Sequence, residues 1–549
     1  MNRKILGIVI IIACMCAISL YAEDVVVTLK PSDGYVNAVI VADTTTAGGL
    51  STNRIYEFLR DSIYMANAQF TVPEGRTLRM RAADGTGSKP IIYLMETGTG
   101  SSPTRPPGQF IVVNSANFEM KDIYLTGFYE WEPERVATTQ GCLIRTQAPG
   151  SSIILDGVLL SNCNGNHVRT DQSTVKVKVT NSIFANMGSL STSNLGAGKG
   201  LDLRDVTCDS LFLVNNTFVN YQDRPLRHYS TDPTKGKINY ALIDHNTFVN
   251  GMGYHGLFSL GNVGNKIIIT NNLFMDAFAL GEDSTDVTRA AEWANTGEVY
   301  PNGNNRITWI FSTPNEETEW TVAHNYFAIS DSGQAFLDDF NFPPGSPLSH
   351  HICSKLGADS VTAFTADEIV LVNTPELMTN MMRWYEADTL AGGAGKSKAT
   401  TNFDWTKHDF DRRMIEYYRD TLDCSYPTTA AAYTGAAGGL PVGDLNWFPE
   451  FVGVSKEKPA GPVSFSLKQN YPNPFNPTTQ IAFNLDKSGY TVLSIYNLLG
   501  QIVAKPVANH LPAGSYQITF DASHLAGGIY FYKLESAGQV NVRKMMLLK

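Results

Sequence analysis

Asn215-Asn216-Thr217-Phe218-Val219, His245-Asn246-Thr247-Phe248-Val249 and Asn271-Asn272-Leu273-Phe274-Met275 are one phrase written three times. Looser copies lie on either side: Lys121-Asp122-Ile123-Tyr124-Leu125, Asp156-Gly157-Val158-Leu159-Leu160 and Thr180-Asn181-Ser182-Ile183-Phe184 before it, and His324-Asn325-Tyr326-Phe327-Ala328 after it. Each joins a short alternating strand to a second apolar strand through an Asn or Asp turn. Self-similarity of this kind marks a repeat architecture, in which no unit buries its apolar face alone.

The Asn/Asp positions 122, 156, 181, 216, 246, 272 and 325 are 34, 25, 35, 30, 26 and 53 residues apart. A coil of roughly 22 to 30 residues with insertions leaving its turns accounts for this irregularity. The pattern predicts an all-β chain built on a right-handed parallel β-helix, a solenoid whose coils stack on one another. The apolar residue two positions after the Asn, most often Phe, should form an inward stack, and the Asn residues a hydrogen-bonded ladder. Short β-branched strands separated by Gly, Asn and Asp argue against helical repeats, and the missing fixed blade length argues against a propeller. The first coil is expected near Phe70-Thr71-Val72-Pro73, with residues 25–68 and their helix-like stretch 54–65 as an N-terminal cap.

Residues 25–450 resemble the pectin-lyase-like β-helix proteins secreted alongside polysaccharide-degrading systems. The closing segment Gly438-Gly439-Leu440-Pro441-Val442-Gly443-Asp444-Leu445-Asn446-Trp447-Phe448-Pro449 is similar to the ending found in that group, "G-x-P-x-G-D-x-x-W".

Both ends of the chain concern transport. Met1-Asn2-Arg3-Lys4, an apolar run to Leu20 and Tyr21-Ala22 before Glu23-Asp24 read as a cleaved signal peptide over 1–22. No later segment is apolar enough to span a bilayer, so no transmembrane segment is expected after cleavage. The β-helix domain is expected over 23–454, a Pro/Lys/Gly-rich linker over 455–462 and a small immunoglobulin-like β-sandwich over 463–549, with strands near 481–485, 491–497, 515–520 and 529–534. Gln469-Asn470-Tyr471-Pro472-Asn473-Pro474-Phe475-Asn476-Pro477, Tyr496-Asn497-Leu498-Leu499-Gly500-Gln501, Gly528-Ile529-Tyr530-Phe531-Tyr532 and the terminal Arg543-Lys544-Met545-Met546-Leu547-Leu548-Lys549 carry a second resemblance. This stretch is similar to the type A C-terminal sorting domain of the type IX secretion system. That resemblance implies a Gram-negative cell, passage through the periplasm, recognition by the outer-membrane translocon, and processing by a sortase-like machinery at the cell surface.

Charge is unevenly shared. Residues 463–549 carry seven Lys/Arg and three Asp/Glu, whereas 23–462 carry 33 basic and 49 acidic residues, a net of −16. So acidic a surface argues against nucleic-acid binding, which phosphate neutralisation leads. Cys142, Cys163, Cys208, Cys353 and Cys424 are widely spread and lack zinc-site spacing, so buried thiols are expected, with one bridge left open.

In β-helix polysaccharide lyases, calcium and basic groups on one outer face neutralise a uronate carboxylate so that the proton α to it can be abstracted. Asn215 to Tyr229 resembles the pectate-lyase segment "N-x-F-x-N…R-x-P-x-x-R", with Arg224 and Arg227 as the basic pair, although one residue is missing on each side of Pro225. Repeat counting places Lys199, Asp202, Arg204 and Asp205 one coil earlier. Lys199, Arg204, Arg224 and Arg227 are therefore the candidate catalytic residues, Asp202 and Asp205 the candidate metal ligands, and Ca2+ the candidate cofactor. The family's "W-I-D-H" strand has no counterpart ahead of the Arg pair, because Ile243-Asp244-His245 follows it. Ordinary ion pairs of Arg224 and Arg227 with carboxylates such as Asp223 or Asp232 remain the competing reading.

His167-Val168-Arg169-Thr170-Asp171 gathers polar groups in a turn, His350-His351 lacks metal-ligand spacing, and Tyr254-His255 has no partner in the sequence. Trp405, Trp447, Tyr417 and Tyr418 could stack on sugar or cap the solenoid. Two functions stay open: a secreted or cell-surface protein that binds polysaccharide, with polyuronate-lyase chemistry if the Arg224 face is real, and a non-catalytic adhesion solenoid.

Overall fold

The computed structural model describes residues 24–548 apart from 96–107, 128–140, 189–194, 229–231, 233, 295, 399–421, 449–450, 452–453, 458–464, 471, 488, 499, 512–513 and 524. The expected signal peptide, most of the expected linker, and Trp405, Tyr417 and Tyr418 lie outside the described residues.

Three parallel sheets form the solenoid. The first has ten strands from Val25–Leu29 to Glu319–Ala323, the second ten from Ile63–Ala66 to Phe364–Ala366, and the third nine from Phe70–Val72 to Ser346–Leu348. The chain visits them in turn, so each coil pairs with the coils before and after it, as Phe184, Phe218, Phe248 and Phe274 do in register in the second sheet. This is a parallel β-helix. Two bends per coil need a left-handed residue, which Asn, Asp and His tolerate better than β-branched residues. Asn181, Asn215, His245, Asn271 and His324 take φ of 53 to 59° at the bend between the first and second sheets, and Asn162, Asn186, Asn220 and Asn250 take 51 to 56° at the next.

The residue after each first-bend position forms the ladder. Asn216 Nδ2 donates to Asn246 Oδ1, Asn246 to Asn272, and Asn272 to Asn325, each at 2.9 Å. Each of these acceptors also takes the preceding Asn's backbone N–H, at 2.9 to 3.1 Å. Positions 122, 156 and 181 are not rungs. Asp122 pairs with Lys89 and Arg60, while Asp156 accepts from Thr180 and Asn181; the ladder begins at Ser182, whose backbone N–H donates to Asn216 Oδ1. A second ladder at the other bend links Asn186 to Asn162 and Asn220 to Asn186 at 3.1 and 3.0 Å. Beneath the first ladder the predicted stack is present: Phe184, Phe218, Phe248 and Phe274 lie 4.8, 5.1 and 5.0 Å apart, with interplanar angles of 28, 17 and 15°.

The solenoid starts one coil earlier than expected. Val25–Leu29 already pairs with Arg54–Phe58, and residues 54–65 are two strands, because Arg54-Ile55-Tyr56-Glu57-Phe58 joins the parallel register of the first sheet. The cap is instead the helix Val36–Thr46, which buries Val36 and Ile40, one helical turn apart, on the first coil. Arg54 clamps its Asp43 bidentately, with Nε and Nη2 each 2.6 Å from a carboxylate oxygen.

After the last coils, residues 422–448 return over the second sheet and bury Tyr426, Val442 and Phe448 against Val219, Val249 and Leu273. The closing motif is the clasp. Gly443 sits at φ 94°, and a Cβ there would stand 2.5 Å from Thr247 Oγ1. The Asp444 backbone N–H donates to Thr247 Oγ1, and the Asp444 carboxylate accepts from Thr217 Oγ1, both at 2.8 Å. Trp447 Nε1 donates to Thr217 at 2.8 Å, so Trp447 acts as a fastener.

The C-terminal unit is two antiparallel four-stranded sheets around one core of Phe475, Ile481, Phe483, Ile495, Tyr516, Ile518 and Tyr532. Val454–Glu457 adds an edge strand to it. Buried Asn470 fixes the Pro-rich opening, its backbone N–H on Tyr532 Oη at 2.8 Å and its amide on Thr479 at 3.0 Å. The five cysteines beyond residue 22 are free thiols, and Cys142, Cys163, Cys208 and Cys424 are buried.

Candidate functional site

Strands Lys199–Asp202 and Arg224–Arg227 are neighbours in the third sheet, in a register that sets Lys199 beside Arg224 and Asp202 beside Arg227. Three of the four candidate basic residues and one candidate metal ligand thus meet on one flank. They meet under cover: Lys199, Arg224 and Arg227 are 5, 0 and 7 % exposed.

Asp223, fully buried, is the hub. Its Oδ2 takes Lys199 Nζ at 2.9 Å and Arg224 Nε at 3.1 Å, and its Oδ1 takes His255 Nδ1 at 2.8 Å and the His255 backbone N–H at 3.2 Å. Burial alone would raise the Asp223 carboxyl, but Arg224, Lys199 and His255 outweigh it and hold the group well below the usual carboxylate range. Burial lowers the Lys199 ammonium against the pull of Asp223, and pushes the His255 imidazole down to about 4. His255 is therefore neutral at pH 7. With Nδ1–H on the carboxylate, its Nε2 is an acceptor, and Lys398 Nζ lies 3.3 Å from it.

Glu292 closes the network from an insertion after the second sheet. Its carboxylate lies 3.3 Å from Arg224 Nη2 and 3.6 Å from His255 Nε2; burial would raise it, yet Arg224 and His255 bring it down to about 2. The side chains of Glu292 and Lys398, 21 and 42 % exposed, form the outer edge.

Asp202 faces Arg227 Nη1 at 3.4 Å and Arg204 Nη1 at 3.7 Å, while Asp205 lies 3.5 Å from Lys235. The two carboxylates serve different cations and do not converge as a calcium donor set would. Arg204, with its side chain 31 % exposed, pairs with Asp202 nearer the rim.

Glu292 and Lys398 are not among the residues that the sequence singles out, while Tyr254-His255 is a candidate without a partner and Asp223 only an ion-pair partner of Arg224. The Asp223–Arg224 adjacency was a visible charge pair, and the Gln222-Asp223 and Tyr254-His255 pairs both follow a second-bend Asn, in successive coils. Glu292 and Lys398 come from insertions outside the repeat and had no such signal. The remaining candidates are packed or paired. Asp171 is held by Arg145 and, at 2.7 Å, by Arg169; His167 stacks on Phe184 at 5.5 Å; His351 Nε2 accepts the Asn315 N–H.

Residues 469–548 match the secretion system C-terminal sorting domain family. No curated protein matches the chain. The sorting tail makes this a protein secreted to the cell surface or beyond and handled by the type IX machinery. No helix among the described residues is long and apolar enough to cross a membrane.

Proposed function

We propose that this secreted β-helix protein engages an acidic polysaccharide at the third-sheet flank and cleaves it by β-elimination. The observation that carries the reading is the Asp223–His255 pair, a neutral imidazole oriented by a buried carboxylate and flanked by cations. His255 Nε2 accepts the proton α to a uronate carboxylate, while the half-exposed Lys398 ammonium faces that carboxylate. The carbon–carbon double bond forms as the glycosidic carbon–oxygen bond breaks, and the imidazolium returns the proton to the departing oxygen. The resemblance of the solenoid to secreted pectin-lyase-like proteins supports a glycan ligand. Burial of Lys199, Arg224 and Arg227 favours a second reading, in which the network only locks the insertion onto the solenoid and the protein is a non-catalytic adhesion surface.

The test is incubation of the protein with polygalacturonate, alginate and glycosaminoglycans while following the ultraviolet absorbance of unsaturated uronates. Activity lost in His255→Asn but kept in Lys235→Ala is the expected result. Silence on every polymer, with retardation in affinity gels, would favour the second reading, and silence without retardation would overturn the glycan reading.

A further inference from the structure

A second cluster, of different side chains, lies across Tyr385 and Tyr254 from the Asp223 network: Tyr385 bonds Asp286, packs on Tyr254 at 5.3 Å, and Tyr254 packs on His255 at 4.4 Å. Asp283 and Asp286 in the insertion and Glu386 at the end of helix Thr379–Glu386 bring carboxylate oxygens within 4.8 Å of one another. Asp283 Oδ1 accepts the Thr285 N–H at 2.8 Å, Asp286 Oδ1 accepts the N–H groups of Thr288 and Arg289, and Asp286 Oδ2 takes the Tyr385 hydroxyl at 2.6 Å. These bonds fix the direction of both aspartates but use only part of their lone-pair capacity.

Two observations beyond the clustering point to a cation. Glu386 Oε1 has no donor among the described residues, although its side chain is 1 % exposed and sits at a helix C-terminus, where the backbone dipole disfavours an anion. The cluster also already holds a cation from its own chain: Lys396 Nζ reaches in to Asp283 and stands 3.4 Å from Glu386 Oε2. Lys396 does so from a left-handed backbone, φ 58°, and satisfies only one of the two Glu386 oxygens.

We infer that Asp283, Asp286 and Glu386 form a divalent-cation site, with calcium as its ion and the Lys396 ammonium as the built-in competitor. The donor set is all oxygen, which selects a hard cation. Three protein carboxylates from separate segments suit calcium, which takes most of its ligands from such oxygens, better than magnesium, which keeps several waters. An adjoining open pocket of about 450 Å³, lined by Glu282, Asp283, Thr285, Tyr300, Phe342 and Lys396, leaves room for water at the remaining coordination positions. The inference is independent of the glycan reading, because it concerns a different set of side chains and a ligand measured without polysaccharide.

Isothermal titration of the EDTA-treated full chain with calcium chloride, and separately with magnesium chloride, tests it. Lys396→Met, which removes the competing charge, should bind calcium about tenfold or more tightly than the unaltered chain, and adding Glu386→Gln to that variant should weaken binding by about as much. Magnesium should bind more weakly throughout. Circular dichroism of each variant confirms that it is folded. Calcium affinity unchanged by Lys396→Met, or binding that Glu386→Gln leaves intact, overturns the site and leaves the carboxylates as an anchor for Lys396.

Discussion

At the first bend, four asparagines pass one neutral amide hydrogen bond from coil to coil; at the third-sheet flank, buried cations and carboxylates converge on Asp223. Both regions are polar and sealed from water, but they answer differently to the loss of one member. In the ladder the inner amides, Asn246 and Asn272, are matched above and below by identical ones, so the system repeats and a break stays local. The flank has no repeat. Its balance depends on one carboxylate meeting Lys199, Arg224 and His255 at once, and removing it strands charge where water cannot reach.

The largest expected effect is therefore the contrast between Asp223→Ala and Asn246→Ala. Stranding Lys199 and taking from Arg224 one of its two carboxylates should cost about 3–5 kcal/mol, whereas interrupting the ladder should cost about 1–3 kcal/mol, the desolvation of the groups left without partners. Thermal unfolding of the two variants side by side measures this. Equal losses would mean that the flank is wetter, or the ladder more cooperative, than their geometries imply.

Acidification should separate the ladder side from the flank by sign. Burial pushes the clasp residue Asp444 up to about 6, so its protonated form is favoured on folding. Its contribution is fully present below the ordinary carboxylate pKa and is lost as pH rises through about 6. His255, pushed down to about 4, acts oppositely: the neutral form is favoured, and its contribution is present above the ordinary histidine pKa and is lost as pH falls through about 4. Hydrogen exchange between pH 7 and 4 should show growing protection in 442–447 and falling protection around 223–228. His245, which also touches the clasp through the Gly443 carbonyl and is likewise lowered by burial, adds an opposing slope. Asp444→Asn isolates the carboxylate's share: protection at the clasp should then lose its gain at low pH.

The same contrast explains how much of the molecule was legible. Ladder and stack could be read because Asn216, Asn246 and Asn272 and the Phe two positions after each recur, and recurrence is a property of sequence. The four sequence blocks that mark the sorting unit were legible for a similar reason, since motifs such as Asn470 and its Pro-rich turn carry their own local geometry. The bringing together of Lys199 with Arg224 followed from counting coils. Their burial did not, because Glu292 and Lys398 arrive from insertions whose path no period dictates. The misread stretch 54–65 failed for a different reason. An isolated Arg-Ile-Tyr-Glu-Phe run carries both periods weakly, and only its parallel neighbours decide between them.

The smallest expected effect lies at the edge of the flank. Asp205 and Lys235 are 3.5 Å apart, with side chains 35 and 49 % exposed, so water screens their attraction and both pay for being held in place. Lys235→Ala should change stability by about 1 kcal/mol or less, and raising salt should shrink even that. Asp202 lies in the same strand region but is 1 % exposed and faces Arg227, itself largely buried. Asp202→Ala should therefore exceed Lys235→Ala clearly and resist salt. A salt titration of both variants locates where the flank passes from solvated surface to sealed network: if the two respond alike, the boundary lies deeper than Asp202, and the Asp223 hub alone is dry.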